Sequence, residues 1–214
     1  MLRTNVWFLS DATLGPVHFP TVPTLMTKRD AICEAALDLF AEKGIEATTT
    51  REIAEKAGAA EGTLYRHFDG KEDLARWLYR QCAAQLEETL ADATAKSSTP
   101  PDRLEALVRG VFEFYASKPA SCTYLLSVRE SELGNGETDE ALSPPLRYLA
   151  DTLEAGMDNG TFRDAPAPLV AGWILAMVQQ TVRSLKADAL SIPPQAAIDR
   201  TVDVALRLAE APLP

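Results

Sequence analysis

Residues 49–68 read TTREIAEKAGAAEGTLYRHF. The pattern predicts two short helices joined by a tight turn. Thr49 or Thr50 can cap the first helix, and Glu52 stands at the capping-box position relative to Thr49. Gly58 is expected to end this helix, because glycine adopts the left-handed backbone without a steric penalty. The second helix is predicted to follow two residues later and to reach the end of the stretch.

The second predicted helix has two different faces. Leu64 and Phe68 are four residues apart and share an apolar side, while Thr63, Arg66 and His67 share the opposite side. Two short helices of this kind are typical of a helix-turn-helix, whose second helix lies in the major groove of DNA. For Arg66 and His67 taken alone, the ordinary face of a solvated helix is the alternative.

Apolar residues recur at helical spacing along the rest of the chain, and no segment alternates with a period of two residues. We therefore predict an all-α protein with about nine helices. Besides the two short ones, the predicted helices are 27–43, 71 to about 94, one capped by Asp102, one beginning at Pro119, 144–157, 169 to about 185, and one beginning at Pro193-Pro194.

Composition excludes several classes of protein. The chain has 214 residues, of which 46% are hydrophobic and 24% charged, so it has enough apolar surface to fold. The sequence has no run of 18 apolar residues, so no membrane-spanning helix is predicted. The net charge is −10, and most of the acidity lies in residues 81–214. Any binding to nucleic acid must therefore depend on a local surface that acts against the overall field.

Cysteines and histidines give no sign of catalysis. Cys33, Cys82 and Cys122 are widely spaced, which argues against a disulfide framework or a zinc site and favours buried thiols in a reducing cytoplasm. A redox-sensing pair is the alternative, and the spacing does not favour it. His18 and His67 lie in dissimilar segments without a nucleophile or metal-ligand pattern. We expect no enzyme activity, no cofactor and no metal.

Residues 1–25 differ from the rest of the chain. Three prolines interrupt any helix there, so we expect a poorly ordered extension, with a possible translation start at Met26. A DNA-binding arm is the alternative, but such arms usually carry several basic residues and this segment has only Arg3.

About fifty residues, from Thr27 to Leu74, resemble the N-terminal domain of the tetracycline-repressor (TetR) family of regulators. The matching segments are AALDLF at 35–40, TT at 49–50, IA at 53–54, AG at 57–58, GTLY at 62–65, HF at 67–68 and KEDL at 71–74. The resemblance implies a helix-turn-helix domain at 26–72 and a helical effector-binding and dimerisation domain at 73–214.

The resemblance also implies a DNA-contacting surface. Two positions depart from the family: Ala60 cannot cap by its side chain, and the carboxylate of Glu61 would repel phosphate although it can accept from cytosine N4. These departures leave open an alternative, a helical interaction protein with a degenerate helix-turn-helix. The residues expected to contact double-stranded DNA are Thr50, Arg51, Glu61, Thr63, Tyr65, Arg66, His67 and Lys71.

For the C-terminal part the resemblance implies a homodimer and a pocket for an unknown small-molecule effector. A repressor released from a palindromic operator by that effector is therefore the expected function, although aromatic residues at helical spacing are more often core than pocket. The predicted dimer interface comprises Trp173, Ile174, Val178, Val182, Ile198, Val202 and Leu206. The predicted pocket comprises Phe112, Tyr115, Tyr124, Arg129, Tyr148, Trp173, Met177 and Gln180.

Overall fold

The computed structural model describes residues 27–128, 133 and 144–210. These residues form nine α-helices and no strand, as predicted. The expected extension at 1–25 lies outside the described residues. The helices are α1 (Lys28–Lys43), α2 (Thr50–Lys56), α3 (Glu61–Leu64), α4 (Lys71–Thr94), α5 (Pro100–Ser117), α6 (Pro119–Ser127), α7 (Pro144–Asp158), α8 (Ala167–Lys186) and α9 (Pro194–Glu210).

Local chemistry sets most helix ends, with two corrections to the predicted boundaries. Thr99, rather than Asp102, caps α5, because its hydroxyl accepts from the Asp102 backbone N–H at 3.3 Å. The helix α3 ends at Leu64 rather than at Phe68, and the residues between them form a turn. The Phe68 N–H still donates to the Leu64 carbonyl at 3.0 Å, so the turn keeps one helix-like bond.

Two hydrophobic clusters share the long helix α4. The N-terminal cluster includes Phe40, Ile53 and Leu64, and α4 adds Leu74 and its neighbours to it. The C-terminal cluster takes the second half of α4 together with α5, α7, α8 and α9. The division predicted between residues 72 and 73 stays a prediction, since α4 is one continuous helix.

Tyr124 belongs to the N-terminal cluster, and so its prediction as a lining residue of a C-terminal pocket is wrong. Its ring is 1% exposed and stacks on Phe40 with the ring centroids 5.8 Å apart. Its hydroxyl donates to the Ala75 carbonyl on α4 at 2.8 Å. Tyr124 therefore joins α6 to both α1 and α4.

The described cysteines Cys33, Cys82 and Cys122 are buried and form no disulfide. Burial raises the pKa of the Cys122 thiol to about 12, and it raises that of Cys33 to about 11. Both thiols are therefore protonated at neutral pH, which disfavours the nucleophilic thiolate.

None of the helices in the described ranges is long and apolar enough to span a membrane.

Four residues predicted at the dimer interface lie in the core of the single chain. Ile174, Val178, Val182 and Val202 are at most 4% exposed, since α8 packs against α5, α7 and α9. An amphipathic pattern identifies a buried face but does not identify which helix covers it. Trp173 is 39% exposed, whereas Ile198 and Leu206 are half-buried.

A sharp turn after α7 generates the first testable prediction. Phe162 packs back onto Gly156 and donates its N–H to the Gly156 carbonyl at 2.9 Å, and a Cβ added to Gly156 would overlap the phenylalanine ring. We expect Gly156→Ala to lower the free energy of unfolding by about 1–3 kcal/mol through overpacking. Urea unfolding at fixed protein concentration measures the change.

The matched control is Gly62→Ala, because a Cβ at Gly62 meets no atom within 4 Å. This variant should leave the unfolding midpoint unchanged or slightly raised. An unchanged midpoint for Gly156→Ala would show that Phe162 moves aside freely.

Candidate nucleic-acid interface

The buried residues Leu64 and Phe68 fix the direction of the turn between them. Leu64 is fully buried and Phe68 is 5% exposed, both within the N-terminal cluster. Tyr65, Arg66 and His67 are consequently exposed, with Tyr65 at 56%. Thr63 is half-buried. The structure therefore presents three of the predicted DNA-contacting side chains together on one outward turn.

The connection between α2 and α3 is a tight turn. Gly58 has φ +59°, the left-handed conformation predicted for it, and the Ala59 N–H donates to the Ala54 carbonyl at 3.0 Å. Before α2, the predicted capping box is present, with the Thr49 hydroxyl accepting from the Glu52 N–H at 3.2 Å. Ala60 provides no side-chain cap to α3, also as predicted.

Electrostatic interactions stabilise the capping box at the start of α2. The pKa of Glu52 is lowered to about 2, first by its hydrogen bond with Lys43 and then by its bonds with Thr49. The Lys43 ammonium lies 2.6 Å from the Glu52 carboxylate. Glu52 therefore stays ionised well below neutral pH, and its contribution to folding is lost only as the pH falls from its ordinary value of 4.5 towards 2.

Two predicted phosphate contacts are occupied by carboxylates of the same chain. The Thr50 hydroxyl donates to Glu61 at 2.6 Å, and the Arg51 guanidinium pairs with Glu55 at 2.9 Å. The hydrogen bond that Arg51 donates to Glu55 raises the pKa of Arg51 further above its ordinary value. DNA phosphate would have to compete with these carboxylates. Glu61, the first residue of α3, thus also engages the hydroxyl of the first residue of α2.

Lys71, predicted to neutralise phosphate, holds a loop in this structure. Its ammonium donates to the Thr48 carbonyl at 2.9 Å and to the Glu46 carbonyl at 3.4 Å. These bonds tie the start of α4 to the segment between α1 and α2. A lysine at the first position of a helix gives no sequence signal of such distant partners.

Sequence patterns also missed Arg29 and Lys28, in the first turn of α1. The Lys28 ammonium donates to the Gly58 carbonyl at 3.1 Å, and the Arg29 guanidinium lies over the rings of Phe68 and Trp77. These contacts join α1 to Gly58, in the turn before α3, and to Phe68, which follows the exposed turn Tyr65–His67.

The C-terminal helices enclose two small apolar cavities, of about 10 and 20 Å³. Leu175 and Pro145 line both, and α4 contributes Leu86 to one and Leu90 to the other. The other lining residues are Leu107, Val108, Val111, Leu149 and Val178 around the first cavity, and Tyr79, Leu125, Leu126 and Gln179 around the second.

Of the seven described residues among the eight predicted for the pocket, none lines these two cavities. Phe112 is core, Trp173 and Gln180 are exposed, and Tyr148 and Met177 are half-buried against the C-terminal cluster. Arg129 lies outside the described residues. Tyr115 lines a separate open cleft of about 310 Å³ between α1, α6 and the end of α8. The pocket lining inferred from side-chain type alone therefore stays a prediction.

Comparison with known proteins supports the helix-turn-helix. Residues 32–77 match the family model described as bacterial regulatory proteins, tetR family. The chain is 37% identical over 161 residues to the HTH-type transcriptional repressor KstR2 of Mycobacterium tuberculosis, covering 73% of this chain and 80% of that protein.

Solved structures show the same fold beyond the matched segment. A tetR-family regulatory protein from Rhodococcus RHA1 superposes with a TM-score of 0.70 at 26% identity, covering 87% of this chain and 99% of that one. The regulator FadR from Bacillus subtilis, solved with stearoyl-CoA, superposes with a TM-score of 0.67 at 22% identity, covering 82% and 96%.

The local geometry and the relatives agree on one assignment. An exposed Tyr65-Arg66-His67 turn stands on a buried helix-turn-helix core, and the family match spans that same segment. The degenerate helix-turn-helix of an interaction protein, left open by Ala60 and Glu61, is disfavoured by relatives that are named transcriptional repressors. The chain belongs to the TetR family of bacterial DNA-binding transcriptional regulators.

Proposed function

We propose that this protein is a cytoplasmic homodimeric repressor that binds a palindromic operator and is released by an apolar small molecule. The observation that carries the proposal is the exposed turn Tyr65–His67, held outward by the buried Leu64 and Phe68. A backbone turn held in this way can present its side chains to the major groove with little loss of backbone freedom on binding. KstR2 of M. tuberculosis, which shares 37% identity, is named a repressor.

Within this surface the side chains have different roles. Arg66 suits the O6 and N7 atoms of guanine, and Thr63 and His67 are placed to reach neighbouring base edges. Tyr65 offers a hydroxyl to a phosphate, as does Thr50 once its bond to Glu61 is exchanged. Lys71 acts mainly by holding the loop before α2 and only secondarily by its charge.

An apolar stripe on the outside of α8, together with an exposed valine on α9, supports dimerisation. Leu169 and Trp173 are 48% and 39% exposed and lie one helical turn apart, and Ala176 continues the row. Val204 on α9 is 46% exposed. A twofold axis beside these helices would cover the stripe with its own copy and would pair two recognition turns with a palindrome. Trp173 is the most exposed of the residues predicted for the interface from sequence.

The two cavities beside α4 support an apolar effector. Most of their lining is aliphatic, and the smaller cavity exposes no polar surface. Their volumes are close to that of a single water molecule, so a ligand must push the helices apart to enter. A long hydrocarbon chain fits this requirement, because its shape follows a narrow space and its burial is favourable at about 0.8 kcal/mol per CH₂. The stearoyl-CoA complex of FadR supports the same ligand class.

The continuity of α4 offers a route from the cavity to DNA. Leu86 and Leu90 line the cavities, while Leu74 of the same helix packs in the N-terminal cluster behind α3. Opening the cavities shifts α4, which changes the separation of the two recognition turns in a dimer. The ligand then favours a state with lower operator affinity by its differential binding to that state.

Selection from a random duplex library, followed by release assays, tests the whole proposal. We expect enrichment of a palindromic sequence, and release of that duplex by long-chain acyl-CoA but not by free CoA or acetyl-CoA. An enriched sequence without a palindrome would contradict the dimer. Release by free CoA alone would contradict the apolar effector.

The dimer surface can be tested by charge. Trp173→Asp should give a folded monomer, because a buried unpaired charge at a seam costs several kcal/mol. Light scattering measures the mass, and circular dichroism measures the retained helix. Val178→Asp should instead unfold the chain, since Val178 is 1% exposed within one protomer. Tyr65→Asp is the control and should remain dimeric. A folded dimer for Trp173→Asp would place the interface elsewhere.

The base-reading role of Arg66 gives a separate prediction. Arg66→Ala should cost about 1–3 kcal/mol at the selected operator and relax the preference at one base position. Arg51→Ala is the phosphate control: since Arg51 must exchange Glu55 for a phosphate, its loss should weaken operator and scrambled duplexes alike and reduce the salt slope by at most about 1. Titrations on both duplexes at several salt concentrations separate the two behaviours. Equal weakening on both duplexes by Arg66→Ala would reduce Arg66 to a phosphate contact.

A further inference from the structure

Arg29 occupies an unusual position between two aromatic rings. It lies in the first turn of α1, and its guanidinium carbon is 4.2 Å from the centroid of the Trp77 ring on α4. The same carbon is 5.2 Å from the centroid of Phe68, directly after the exposed turn. The two rings are themselves 5.8 Å apart and inclined by 57°. One cation of α1 thus contacts two other segments, the residue after the exposed turn and the helix α4.

This contact combines attraction with shape. A guanidinium over an aromatic face is attracted by the ring quadrupole, and the interaction strengthens when the cation is partly removed from water. Arg29 is half-buried, and Phe68 is 5% exposed. The planar guanidinium can stack on a ring, whereas a lysine ammonium is a compact, strongly hydrated point charge. A lysine at this position would therefore keep the charge but lose most of the stacking.

The orientation of the exposed turn Tyr65–His67 depends on the residues at both of its ends. The α-helix stops at Leu64, so Tyr65, Arg66 and His67 are carried by a turn between the anchors Leu64 and Phe68. Leu64 is fixed by the core, and the Phe68 ring is fixed in part by Arg29. A shift of Phe68 would rotate the residue next to it, His67, and tilt the Arg66 side chain.

The first turn of α1 also contacts the turn that precedes α3. Lys28, the neighbour of Arg29, donates to the Gly58 carbonyl in the turn that precedes α3. The first turn of α1 therefore contacts the chain both before α3 and just after the exposed residues. Lys28 is exposed and its single hydrogen bond to a carbonyl contributes less than a partly buried stack.

We infer that Arg29 is a positioning residue for sequence recognition, acting through Phe68 and Trp77 without contacting a base. The inference depends on the proposed function only in requiring that the chain select a preferred duplex. Arg29 controls how well the bases are read, whereas the non-specific attraction to phosphate is set by other cations.

Two substitutions separate stacking from charge and from packing. Arg29→Lys keeps the charge and loses the planar group, while Arg29→Met keeps an apolar stem against the rings and loses the charge. Each should lower affinity for the duplex enriched by the wild-type protein about five- to tenfold, and lower affinity for a scrambled duplex less than twofold. The salt slope should stay unchanged for both. Lys28→Met is the matched control for loss of charge in the same turn.

Other results would overturn the inference. Arg29 would be a phosphate contact if Arg29→Lys bound the operator as tightly as the wild-type protein, while Arg29→Met weakened binding to both duplexes equally and reduced the salt slope. A lower melting temperature with unchanged affinity ratios would make it a structural residue alone. Failure of the wild-type chain to enrich any duplex would instead contradict the proposed function.

Hydrogen exchange without DNA provides a measurement that does not need an operator. Arg29→Met should accelerate exchange at the amides of His67 and Phe68, which donate to the Leu64 carbonyl, while the amides of α5 stay unchanged. Unchanged exchange at both amides would overturn the inference even if the affinity falls.

Discussion

Burial of Leu64 is the constraint on which the DNA-binding surface depends. The helix α3 has four residues, and isolated helices shorter than about 12–15 residues are marginal in water because nucleation is costly. Its shape therefore comes from packing against Ile53 and Phe40 in the N-terminal cluster rather than from its own hydrogen bonds. The missing cap at Ala60, a loss of about 1 kcal/mol, is tolerated for the same reason.

The same dependence links the recognition surface to the rest of the chain through α4. This helix contributes Leu74 to the cluster behind α3, and Leu86 and Leu90 to the core around the apolar cavities. Tyr124 adds a second attachment, because its hydroxyl bonds the Ala75 carbonyl of α4. Two cores that share one continuous helix cannot rearrange independently, which is the mechanical basis of the proposed route from the effector to DNA.

Local features of this fold could be predicted from the sequence, and non-local ones could not. The Thr49–Glu52 capping box and the left-handed Gly58 follow from residues within a few positions of each other. The contacts of Arg29 with Phe68 and Trp77 join residues about forty to fifty positions apart, and no spacing rule identifies them. The dimer prediction failed at Val178 for a related reason: periodicity predicts that a face is buried, but the partner that buries it is a tertiary property.

Electrostatics explain how an acidic chain can still select DNA. The net charge is −10, and several cations of the helix-turn-helix domain are engaged by the domain itself: Lys43 with Glu52, Lys56 with Asp38, Arg51 with Glu55, and Lys71 with backbone carbonyls. Non-specific affinity grows with the number of phosphates that are neutralised, so this arrangement keeps it low. Base contacts from the exposed turn must then supply a larger share of operator binding. A weak non-specific background raises the ratio of specific to non-specific affinity, which is the quantity that decides occupancy among competing genomic sites.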